Sequence, residues 1–133
     1  MLKNRLYTIA FISWMSLVAY SCLTSFSGDD VPSFNLPHMD KVMHFGFYFV
    51  GAILGTMALR ELSKSKIPIK KVLFVILVVV IVFGMIIEVV QEQYTLDREG
   101  DMLDVLANSF GAICGAFCMK SLFSGKTRLK WEN

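Results

Sequence analysis

Four long apolar runs, Leu6 to Phe26, Val42 to Leu59, Val72 to Val90 and Met102 to Phe123, are separated by short polar segments. Each is close to the ~20 residues that a helix needs to cross ~30 Å of hydrocarbon. The third is the clearest, since no charged side chain occurs from Val72 to Ile87. Its Val and Ile residues do not argue for a strand, because a strand of that length is exceptional and a membrane span must satisfy its own backbone. The pattern predicts an all-α polytopic membrane protein, a four-transmembrane-helix bundle with spans at about 6–26, 42–60, 71–91 and 102–123, forming a single domain over residues 1–133. A hydrophobic content of 55% and a mean hydropathy of +0.57 agree, because a soluble core of this size needs far less.

Lys3 and Arg5 precede the first run as they would in a signal peptide. The run exceeds the usual h-region of about 7–15 residues, and bulky Tyr20 makes Ala19-Tyr20-Ser21-Cys22 a poor lipobox, so the helix is expected to be retained. Four spans then put alternate loops on opposite sides. Lys3, Arg5, Arg60, Lys64, Lys66, Lys70, Lys71, Lys120, Lys126, Arg128 and Lys130, eleven of the thirteen Lys and Arg residues, fall on one side. Only Lys41 and Arg98 fall on the other. The positive-inside rule makes the basic side cytoplasmic, with both termini there, and turns Ser27 to Asp40 and Glu92 to Asp101 outward. A net charge of +2 implies no nucleic acid partner. The basic tail ending in Trp131 reads as a solvated segment that sets topology, with contact to anionic headgroups as the other reading. The outer segment Gly28 to His38 has turn-formers at both ends and reads as an interfacial lid.

Ionisable residues are costly inside a membrane, and here they are not scattered. The second helix begins with Asp40, Lys41, His44 and Tyr48, the last three on one face; the third ends with Glu88 and Gln91; the fourth starts with Asp101, Asp104 and Asn108. All lie toward the outer ends of their helices. Continuing the same faces inward gives Gly51 and Gly55, Gly84, and Gly111 and Gly115, small residues that permit close helix approach. The cluster is therefore expected to face into the bundle. Its structural reading is an ion-pair network that fixes helix register, with Tyr48 as an interfacial belt aromatic and Lys41 snorkelling. Cys22, Cys114 and Cys118 read as small packing residues. Neither a CxxC, GxGxxG, Walker A nor GxSxG pattern occurs.

Asp40-Lys41-x-x-His44-x-x-x-Tyr48, Glu88-x-x-Gln91 and Arg98-x-x-Asp101-x-x-Asp104-x-x-x-Asn108-x-x-Gly111-x-x-x-Gly115 together resemble the VanZ-like family, over about two thirds of the chain. The resemblance implies a small integral membrane protein of the bacterial cytoplasmic (inner) membrane. The family's founding member is associated with teicoplanin resistance. Carried over by position, the binding residues are Asp40, Lys41, His44, Tyr48, Glu88, Gln91, Arg98, Asp101, Asp104 and Asn108.

Three functions fit these residues. One is an accessory protein that binds the polar or anionic headgroup of a membrane lipid, a lipid-linked cell-envelope precursor or a glycopeptide antibiotic, using Lys41 and Arg98. Another is a membrane enzyme assisted by a divalent metal, with His44, Glu88, Asp101 and Asp104 as ligands and His44, Glu88 and Asp104 as catalytic candidates. The last is a proton-coupled transporter carrying protons on Glu88 and Asp104, which calls for an oligomer. The topology is testable first. In a cysteine-free background, Ser33→Cys and Thr95→Cys are expected to react with an impermeant thiol reagent on intact cells. Ser65→Cys and Thr127→Cys are expected to stay protected until the membrane is opened.

Overall fold

The computed structural model describes residues 5–24, 39–94, 102–124 and 131. Four helices follow in order: α1 (Leu6–Leu23), α2 (Met39–Ser63), α3 (Ile69–Tyr94) and α4 (Met102–Leu122). Each is long and apolar enough to cross a membrane, and the described residues contain no strand. At ~1.5 Å per residue, the 25 residues of α2 and 26 of α3 span roughly 38 Å, more than the hydrocarbon thickness, so their ends reach the interfaces. The outward surface is apolar, with Phe74, Phe110 and Phe117 exposed, while the buried interior holds His44, Glu88, Gln91, Asp104 and Asn108. That inversion suits a lipid solvent and not water.

The helices alternate in direction. Thr8 meets Glu61, Trp14 meets Phe47, Cys22 meets Gln91, and Lys41 meets Asp104. The bundle thus has a polar end, where α2 and α4 start, and a basic end, where α2 turns into α3. That turn places Lys64 and Ser65 at φ 50° and 60°, and the Ser65 amide donates to the Arg60 carbonyl. Pro68 then precedes α3, a suitable position because its missing N–H needs no partner there.

Helices α2 and α4 run parallel and nearly touch. A Cβ on Gly111 would fall on the Phe45 carbonyl oxygen, and one on Gly115 would stand 2.5 Å from the Phe49 carbonyl oxygen and 3.0 Å from the Ala52 Cβ. Only glycine fits. The α2 glycines serve other neighbours: Gly51 admits Met15, and Gly55 admits Phe11 and Ile76. The two Gly-x-x-x-Gly pairs therefore do not face each other. Gly84 of α3 lies against Tyr48 and Asn108, with a Cβ position 2.9 Å from the Tyr48 ring and 3.2 Å from Asn108 Nδ2. Tyr48 is only 1% exposed, so it belongs to the bundle core and not to an interfacial belt.

Helix α1 is fastened at both ends by other helices. No side chain of its own N-cap closes its first turn; Glu61 Oε2 instead accepts from the Thr8 amide at 2.8 Å and the Thr8 hydroxyl at 2.7 Å. A carboxylate there also meets the positive end of the helix dipole. At the other end Gln91 Nε2 donates to the Cys22 carbonyl at 2.5 Å.

Two sequence expectations fail. Trp131 is not solvated: it is 7% exposed, its indole N–H donates to the Ile67 carbonyl at 2.8 Å, and its ring meets Phe123 edge-on at 5.1 Å. Arg60 stacks over both rings at 5.4 and 5.8 Å and donates to the Trp131 carbonyl. A buried indole needs a partner for its N–H and gains from a guanidinium on its face, and the basic end supplies both. Cys118 is exposed on the outer face of α4 and Cys114 is half-buried, so of the three cysteines only Cys22 packs in the core.

Gly111→Ala is expected to destabilise the bundle by about 2 kcal/mol or more, since a methyl group would displace backbone. Gly46→Ala, whose Cβ would meet nothing within 4 Å, is expected to be neutral or slightly stabilising. Membrane protein level and melting temperature in detergent measure both.

Candidate functional site

The polar face of α2 is set by helical period. Asp40 and His44, then Tyr48, follow at intervals of four from the first turn inward, so exposure falls along the row. The side chain of Asp40 is 46% exposed, that of His44 only 3%. Because α4 runs parallel and close, its own row, Asp104 and Asn108, lies beside that of α2 at matching depth.

His44 is the hub. Its Nδ1 stands 2.9 Å from Asn108 Oδ1, and an amide oxygen only accepts, so Nδ1 is the donor there. Glu88 Oε1 from α3 lies on the same side of the ring, 3.7 Å from Nδ1. On the opposite side, Asp40 Oδ1 and Asp104 Oδ2 face Nε2 at 3.8 and 4.0 Å. Lys41 Nζ holds the other Asp104 oxygen, Oδ1, at 3.1 Å, with the Lys41 side chain 26% exposed and that of Asp104 11%. Deeper in, the Tyr48 hydroxyl and Asn108 Nδ2 are buried without a hydrogen-bond partner among the described residues.

Asp40, Lys41, His44, Glu88, Asp104 and Asn108 thus form one constellation contributed by three helices. Gln91 sits one turn beyond Glu88 and is committed to the α1 carbonyl, where it positions a helix. Arg98 and Asp101 lie outside the described residues, as does the segment from Gly28 to His38. Of the metal-ligand candidates, His44 and Asp104 come together with Asp40, their ligand atoms within 4.8 Å of one another. Glu88 faces the other nitrogen of the ring. Asp40 was legible as part of the cluster but not as a partner of Nε2. The signal was its i, i+4 spacing to His44.

A family model described as VanZ/LLP1 matches residues 4–124, and the chain belongs to that family. It is a multi-pass membrane protein by its four spans. No curated protein and no solved structure matches it significantly.

Lys41→Met leaves the Asp104 carboxylate in a low-dielectric site, and is expected to cost roughly 1–3 kcal/mol. Adding Asp104→Asn to that variant is expected to recover much of the loss. Melting temperatures of the wild type, both single variants and the double variant in one detergent complete the cycle.

Proposed function

We propose that the protein binds the polar or anionic headgroup of a lipid-linked envelope component, in the outer leaflet of a bacterial cytoplasmic membrane, as an accessory factor in envelope function or antibiotic resistance. Both termini are then cytoplasmic and the polar end faces out. The observation that carries this reading is the position of Lys41. It sits at the rim of the site, partly exposed, while its ion-pair partner Asp104 lies beneath it and is largely buried. A lysine that served only as a counter-ion would gain from full burial of the pair, whereas one that meets a headgroup must keep part of its surface outside.

Two further features support an anion beside Lys41. The N-termini of α2 and α4 converge there, and parallel helices bring two positive dipole ends to one place. By its place in the sequence, four residues before α4, Arg98 is the other candidate contact, since a guanidinium suits bidentate contact with phosphate. The apolar exterior lets a lipid chain stay in the bilayer while its headgroup enters the site.

Binding of a fluorescent lipid-linked phosphate to purified protein tests the reading, with a glycopeptide antibiotic as the competing ligand. Lys41→Met and Arg98→Lys are each expected to weaken lipid binding about tenfold, the loss of one charge-assisted contact. Glu88→Gln is expected to change it little. The reverse ranking, or binding of the glycopeptide alone, would count against a lipid headgroup.

A further inference from the structure

The polar end carries more acid than its bases can neutralise. Of eleven Asp and Glu residues, all but Glu61 and Glu132 fall in or beside the segments at that end, leaving nine against Lys41 and Arg98. Some of that charge is solvated. Asp104, however, is 7% exposed and Glu88 6%, and both share their neighbourhood with His44, at 2%. An anionic headgroup entering such a place meets carboxylates as well as Lys41. A bound cation would offset them.

The geometry points to a divalent-cation site formed by His44 Nε2, Asp40 and Asp104. Three observations carry it. First, the ligand atoms of these residues lie within 4.8 Å of one another, brought from two helices whose spacing the α4 glycines fix. Second, Nε2 belongs to a side chain more than nine-tenths buried, yet among the described residues no hydrogen bond reaches it. The two carboxylate oxygens that face it stand at 3.8 and 4.0 Å, beyond hydrogen-bond range. An ion bonded to two such donors at about 2.0–2.2 Å would hold them roughly 3.4 Å apart at a tetrahedral angle, so the carboxylates close the site by moving in from 3.8 and 4.0 Å toward Nε2 and from within 4.8 Å toward each other. Third, the surroundings orient the donors. Asn108 engages Nδ1, which leaves Nε2 as the ring nitrogen turned to an ion, and Lys41 takes Oδ1 of Asp104, which leaves Oδ2 toward His44.

One imidazole and two carboxylates suit zinc or manganese better than magnesium, which prefers oxygen ligands alone. Three protein ligands leave at least one coordination position open at the rim. That position faces the same space as Lys41, so the ion and the lysine together would hold a phosphate oxygen. This last step rests on the headgroup reading; the cation site itself does not.

Full-length protein in detergent, stripped with a chelator, is titrated with Zn2+ and with Mn2+ by calorimetry, and bound metal is counted by mass spectrometry. One ion per chain is expected for one of the two metals. Asp40→Asn, whose side chain is 46% exposed, should weaken binding at least about tenfold, as should Asp104→Asn. His44→Gln should abolish it, and Glu92→Gln, an exposed acid at the end of α3 outside the trio, should leave it intact. Absence of stoichiometric binding overturns the inference. So does equal affinity in wild type and Asp40→Asn, which means an adventitious ion only, and so does loss in Glu92→Gln with retention in Asp40→Asn. Lipid binding to the stripped protein separates the two proposals: lipid bound without any metal site leaves the headgroup reading standing alone, and metal bound without lipid leaves the cation site.

Discussion

Everything at the polar end depends on how closely α4 lies on α2. Gly111 and Gly115 bring the backbone of α4 onto the Phe45 and Phe49 carbonyls, a distance that no side chain tolerates. In a bilayer, helices gain nothing by hiding apolar surface from one another, so close backbone packing and buried polar contacts must hold them together. Here the two act in series. The glycines set the spacing, and at that spacing Lys41 reaches Asp104 and His44 reaches Asn108.

The parallel arrangement has an electrostatic cost that the sequence answers. Two helix N-termini side by side place positive dipole ends together, and Asp40 and Asp104 occupy the first turns of the two helices. These acids therefore serve the fold as well as the site. At the opposite ends, Arg60 and Lys120 lie in the last turns, where cations suit the negative dipole ends. The polar end thus combines fixed dipoles, one partly exposed lysine and buried carboxylates around a single imidazole.

Much of this was legible in the residue order. Membrane spans announce themselves through run length, and the inward-facing cluster through helical spacing, because both depend on one helix at a time. What escaped were contacts between helices. The rows containing Gly51 and Gly111 look equivalent in sequence, yet one admits side chains from α1 and the other a carbonyl from α2. The same holds for Glu61, whose partner Thr8 is 53 residues away, and for Trp131, which a local reading leaves in water although Ile67 and Arg60 receive it. Asp40 shows the boundary. Its i, i+4 relation to His44 was visible, but its proximity to Asp104 requires the α2 and α4 spacing that two glycines create.

The two fastenings of α1 bear on how the chain is assembled. Glu61 closes one end and Gln91 the other, and both are synthesised after α1 has left the ribosome. While it enters the bilayer, α1 has donors at its start and a carbonyl at its finish that no later helix has yet met. The first end is satisfied when the α1 and α2 hairpin forms, the second only when α3 has crossed. Helix α1 is therefore made before either of its fasteners and is not locked until α3 has crossed, and a chain halted after α2 would hold it by one end alone.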